Sequence, residues 1–135
     1  MSTSTETTRE TMLHYFESDH RDIGTLAQDV VFTVMATGQE HRGREAVLAM
    51  FAFFYHLAFD ATARPRVTLF GERNALWEGE FAGRHIGEFA GIAATGKEVR
   101  VPLAVVYDLD DGKISQGRIY FEMPVLMRQL GVPGG

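Results

Sequence analysis

The residues of this sequence best suited to chemistry are a carboxylate, an imidazole and four phenols. Glu122 ends a mostly apolar run, Lys113 to Phe121, inside the stretch GKISQGRIYFEMPVLMRQLG (112–131). A carboxylate there can accept a proton, or it can pair with Arg118, four positions back and of the same strand parity. His85, Tyr15, Tyr55, Tyr107 and Tyr120 are donors that could steady negative charge developing on a substrate oxygen. Each of them also fits a packed core. His56 reads as a surface or interface residue, and His14, His20 and His41 have no spacing with a carboxylate that suits a metal, so no metal site is expected. Gly91 to Gly96 lacks a phosphate-loop pattern and reads as a loop between strands.

Composition narrows the classes. A chain of 135 residues, 45% of them apolar, suits one domain with one sizeable core, with residues 1–6 and 132–135 expected to fray. A formal charge of −5 and no run of Lys or Arg longer than two argue against a nucleic acid or anionic lipid partner. No cysteine is present, which removes thiol catalysis, disulfides and cysteine-ligated metals. The polar start MSTSTETTRE and the lack of an apolar run near ~20 residues predict a soluble, cytoplasmic protein.

The elements that must position the candidate groups follow from periodicity. Met12, Leu13, Tyr15 and Phe16 predict a helix over about 7–18, broken at Asp19-His20-Arg21-Asp22. A short helical piece with Ile23, Leu26 and Ala27 leads to a strand at 30–36, and 37–43 reads as a polar loop. The strongest helical pattern runs from Arg44 to Phe59 and is apolar nearly all round, so more than one of its faces must be covered. Strands are predicted at 65–71, 74–89, 98–108 and 113–122, giving helices followed by an antiparallel meander, an α+β class. In the long strand, Trp77, Phe81, His85 and Phe89 share one parity, while Glu78, Glu80, Arg84 and Glu88 share the other. In the next strand both parities are apolar, so both sheet faces look buried. Helices can cover only one of them, and a second copy of the chain is the simplest cover for the other, hence a homodimer or homotetramer.

Several segments together resemble the SnoaL-like polyketide cyclases: His85-x-Gly-x-Phe-x-Gly-Ile-x-Ala-Thr-Gly-Lys, Asp111-Gly-Lys-Ile, Gln129-Leu-Gly, and upstream Asp29-Val-Val-Phe and Arg42-Gly-Arg-Glu-Ala. The resemblance covers nearly the whole chain. It implies the nuclear transport factor 2-like fold, a curved antiparallel sheet wrapped around helices as a cone with a deep apolar pocket, which is shared with ketosteroid isomerases and limonene epoxide hydrolases. It also implies a catalytic acid ten residues after the Gly of the Asp-Gly-Lys-Ile turn, which is Glu122 where the family carries aspartate. No cofactor is implied.

That resemblance sets the expected mechanism. Glu122, beside Tyr120, Phe121 and Met123 in an apolar cavity, would have its pKa raised by desolvation and would take a proton next to a carbonyl, as in the carboxylate tuning of ketosteroid isomerase. His85 would steady the enolate, and Tyr15, Phe51, Tyr55, Trp77, Phe81, Tyr107 and Tyr120 would contact an apolar small-molecule ligand. The function so implied is a cofactor-free cyclase or isomerase of a polyketide-like or polycyclic carbonyl compound. Two others stay open: epoxide opening by Asp108, Arg118 and Glu122 around a water, and a module that only binds a ligand or dimerises.

Overall fold

A computed structural model describes residues 4–18 and 23–132. The expected break at 19–22, and His20 with it, lie outside the described residues, as do 1–3 and 133–135. Helix α1, Thr5–Glu17, begins earlier than its apolar stripe suggests because Ser4 caps it, its Oγ accepting from the Thr7 N–H at 3.1 Å. Two threonine hydroxyls then fasten α1 to the sheet, Thr8 to the Glu72 carbonyl and Thr11 to the Gly112 carbonyl, both at 2.8 Å.

A 3-10 turn, Ile23–Thr25, leads into strand β1, Leu26–Val34, and a hairpin partner β2, Gln39–Arg42. Leu26 and Ala27 are therefore strand rather than helix, and most of the expected 37–43 loop is β2. Helix α2, Arg44–Ala52, runs into a π turn, Phe53–Leu57, and the chain is already extended at Phe59. Then come β3, Phe59–Phe70; β4, Asn74–His85; β5, Glu98–Asp110; β6, Lys113–Phe121; and α3, Met123–Gln129, with Pro124 in its first turn.

The six strands form one open sheet in the order β2-β1-β6-β5-β4-β3. Every neighbouring pair is antiparallel except β1 with β6, which is parallel. The expected meander is thus β3 to β6, and the N-terminal hairpin extends the same sheet from its other side. α3 is docked on β5 by Gln129, whose side-chain carbonyl accepts from the Arg100 N–H and whose amide donates to the Arg100 carbonyl, each at 2.8 Å.

Strand parity holds where it was sharpest. Trp77, Phe81 and His85 are buried along β4, and Val101, Leu103, Val105 and Tyr107 along β5. The other parity of β5 is less covered than its apolar residues suggest, for Pro102 is exposed and Ala104 and Val106 are only half-buried. The sheet curls because β4 lacks side chains where β3 crosses it closely. A Cβ on Gly83 would lie 2.3 Å from the Asp60 carbonyl oxygen and 2.5 Å from the Ala61 Cα, both backbone atoms. No described helix is long and apolar enough to cross a membrane.

On the outer face Arg118 grips Asp108 with both guanidinium nitrogens, and Asn74 donates to the same carboxylate at 3.0 Å. The Arg118 hydrogen bonds, and then that from Asn74, hold the Asp108 pKa below its ordinary value, outweighing partial burial.

Two outcomes follow. Gly83→Ala should lower stability by about 1–3 kcal/mol through forced separation of β3 and β4, read as a reduced thermal midpoint with a native-like circular dichroism spectrum. A depressed carboxylate pKa stabilises the fold above its unfolded-state value and ceases to do so as pH falls through the folded value. Asp108→Asn should therefore be less stable than wild type at neutral pH, with the gap closing as the pH is lowered through the acid range in paired urea titrations.

Candidate active site

The inner face of the sheet, α2, the π turn and α3 enclose a cavity. β1 and β6 supply Phe32, Val34, Ile119 and Phe121; β4 and β5 supply Trp77, Phe81, Leu103 and Tyr107; α2 and the π turn supply Met50, Phe51, Phe54 and Tyr55. Among the described lining residues none is a carboxylate, a histidine or a basic side chain. The rings form a connected wall: Tyr55 with Phe81 at 5.3 Å between centroids, Phe32 with Phe51 at 5.5 Å, Phe54 with Phe121 at 6.3 Å.

Phe32 reaches this wall because β6 has a glycine beneath it. A Cβ on Gly117 would lie 2.7 Å from its ring. The cavity leaves ≈ 60 Å³ for the centres of water-sized molecules, whereas a dry cavity that accepts benzene measures roughly 150 Å³. A ring-sized ligand therefore enters only as wall side chains turn aside. Phe54 and Tyr55 are placed to do so, since the π turn that carries them contains no buried residue.

Polar chemistry is concentrated in tyrosines. Tyr107 lines the cavity, and its ring meets that of Tyr15 edge-on at 5.6 Å between centroids. Both are buried, and burial first, with neighbouring phenols after it, pushes both hydroxyls well above the ordinary phenol pKa.

The expected site residues divide. Phe51, Tyr55, Trp77, Phe81 and Tyr107 line the cavity, and Tyr15 stands behind it. Glu122 does not line it. It is exposed, follows the inward-facing Phe121 by one residue, and borders a groove on the opposite face of the sheet with Tyr120, Glu78 and Glu80. The apolar enclosure expected around this carboxylate is therefore absent, and Tyr120, 44% exposed, belongs to the outer face as well. Glu122 makes no ion pair with Arg118 among the described residues; Arg118 is taken by Asp108. These two residues do meet, as epoxide opening would need, but on the outer face and not at the cavity.

His85 is fully buried yet outside the cavity lining, with the Phe59 ring 5.1 Å from its own. Its Nδ1 accepts from the Thr95 N–H at 3.1 Å, which places the ring proton of the neutral form on Nε2. The histidine pins the 86–97 segment against the end of β4. No group of acidic and histidine residues that could hold a metal occurs among the described residues.

The matched family accounts for this architecture. A model of the SnoaL-like polyketide cyclase family matches residues 12–130. The chain belongs to the SnoaL-like polyketide cyclase family. Among solved structures, a candidate SnoaL-like polyketide cyclase from Jannaschia sp. CCS1 superposes with a TM-score of 0.84 at 20% identity, covering 95% of this chain and 94% of its own. TsrD from Streptomyces laurentii gives 0.76 at 22% identity over 93% and 96%. A hypothetical protein from Catenulispora acidiphila with a ketosteroid isomerase-like fold, solved with trimethylamine, gives 0.73 at 16% identity over 93% and 95%. At these identities the likeness shows the shared nuclear transport factor 2-like fold alone. No curated protein matches the sequence.

Sequence reasoning missed the contribution of β1 and α3 to the wall. A sign of it was available in Val30, Phe32 and Val34, which alternate as a half-buried strand should. The cavity favours uncharged guests, because burying an unpaired charge among these rings is costly. Trp77 is the sole tryptophan and lines the cavity, so its emission reports entry. A neutral aromatic ketone should quench or shift that emission, and the carboxylate analogue of the same skeleton should bind at least ~10-fold more weakly.

Proposed function

We propose that this chain is a cofactor-free cyclase or isomerase that folds an uncharged, polyketide-like carbonyl compound within the apolar cavity. The observation that carries this reading is the Tyr107 hydroxyl, on a ring packed edge-on against that of Tyr15, in a wall whose described lining residues are otherwise free of ionisable groups save Tyr55. Tyr107 donates a hydrogen bond to the substrate carbonyl, which lowers the energy of the enol in a site that excludes water. The enol carbon attacks a second carbonyl carbon of the same molecule. A new C–C bond forms as that C=O π bond opens, and the enol proton ends on the new hydroxyl, so the ring closes with no net change in protons. Family membership supports the ring-closing class. The protein's main contribution is to hold the chain of the substrate folded, which can lower the barrier by several kcal/mol.

In this reading the substrate enters already as its enol tautomer, as 1,3-dicarbonyl compounds exist in solution, so no protein base is required and Glu122 is not one. The test is a pair of variants assayed on 1,3-diketone model substrates. Tyr107→Phe should lower kcat/KM by about 100-fold with the fold intact, while Glu122→Gln leaves turnover unchanged. Loss of activity in Glu122→Gln with Tyr107→Phe spared would reinstate the carboxylate mechanism. Ligand entry reported by Trp77 with no turnover of any diketone would leave a binding module.

A further inference from the structure

The imidazole of His85 carries a donor that no described residue accepts. The ring is fully buried, and with Nδ1 taken by the Thr95 N–H its proton sits on Nε2. Nε2 is itself buried and has no hydrogen-bond partner among the described residues. A buried N–H is costly to leave unpaired, and such groups are rare in folded proteins. Pinning the 86–97 segment uses Nδ1 alone, and the two ring nitrogens point in nearly opposite directions, so Nε2 is turned away from Thr95.

One side chain separates His85 from the cavity. On the inner face Ala63, Phe81 and Val101 form a cross-strand row of the cavity wall; the next inward row is Ala61, Gly83 and Val99, and the one after it pairs Phe59 with His85. Ala61 and Gly83 put almost no side chain into the space between. The Phe59 ring fills it, edge-on to Phe81 at 5.3 Å between centroids and 5.1 Å from the His85 ring. Phe59 is also a cavity-lining residue, so a turn of its ring would lengthen the cavity over Ala61 and Gly83 as far as the imidazole.

We infer that His85 Nε2–H is a second ligand donor, in a subsite opened by Phe59, and that it takes an acceptor oxygen at the end of the ligand remote from Tyr107. Tyr107 is paired with Ala75, and positions 75 and 85 of β4 are separated by on the order of 30 Å of extended strand, which the curl of the sheet shortens in space. The ligand class is therefore an elongated, uncharged compound with ketone or ether oxygens at both ends. This rests on the reading that the cavity takes an uncharged carbonyl compound; it does not require that the compound be turned over.

The test is binding, followed by Trp77 emission, of α,ω-diphenyl diketones of graded spacer length, each beside the mono-ketone of the same skeleton. At one spacer length the diketone should bind roughly 10-fold more tightly than its mono-ketone. His85→Asn keeps an acceptor where Nδ1 stood, so Thr95 stays held, but offers no donor at Nε2, and it should abolish that advantage. In wild type carrying isotope-labelled histidine, the Nε2 proton resonance that is missing from His85→Asn should move when the diketone saturates the protein. Should His85→Asn lose the native circular dichroism spectrum, the wild-type resonance decides alone. Absence of binding by every diketone overturns the inference, as does a diketone no tighter than its mono-ketone at any length, an advantage that survives His85→Asn, or an Nε2 resonance that stays in place at saturation. Turnover is read separately: its absence with this binding pattern intact removes the ring-closing reaction and leaves the subsite standing.

Discussion

The structure depends on the two-residue alternation of β4 and β5, held in register over their whole length. That alternation sends Trp77, Phe81, Leu103 and Tyr107 inward and Glu78, Glu80, Pro102 and Ala104 outward. A shift of one residue in either strand would put carboxylates among the rings, at a desolvation cost no local rearrangement could offset. The fold is therefore strongly specified at its centre. Curvature is specified by what is missing, since Gly79 and Gly83 let the β3 backbone pass where side chains would collide. A flat sheet of the same residues would enclose nothing.

The character of the site follows from that separation of faces. Because apolar groups occupy the inner parity of four strands, the polar functions left to the cavity are those that amphipathic aromatic rings can bring with them. Tyr107 and Tyr55 supply hydroxyls on apolar bodies. Burial that makes the Tyr107 phenol hard to ionise also makes it a dependable donor at neutral pH, since it stays protonated. A carboxylate in the same wall would find no cationic partner among the described lining residues.

The outer face obeys a different physics. There Glu80 and Asp108 are stabilised as carboxylates by direct hydrogen bonds that outweigh the opposing effect of burial. Arg100 on Glu80, with Arg66 and Arg64 acting from farther away, lowers that carboxyl's pKa. Asp108 is held in the same way by Arg118 and Asn74. Val67, Leu69 and Tyr120 lie exposed between these charges.

The sequence alone determined the class, the central strands and the inner parity of the strand beginning at Asn74. The period-2 pattern read over 74–89 is long enough to fix the parity, though the strand itself ends at His85. The run 98–108, apolar on both parities, was legible as a strand but not as to its inner face, and the order of short motifs across the chain carried the family. The boundaries near 26 and 59 were less legible, because short apolar runs fit helix and strand equally until tertiary pairing decides. Glu122 shows the limit most clearly. Its count from Gly112 matched the family's acid, yet its parity with Arg118 and Tyr120, against Ile119 and Phe121, already pointed outward. His85 had the right parity but lies beyond the cavity wall, because Phe59 comes between. Parity says which face a residue takes. Only the packing of distant segments, β1 beside β6 and α2 across the sheet, decides where along that face the cavity lies, because those contacts join residues far apart in the chain and leave no local pattern.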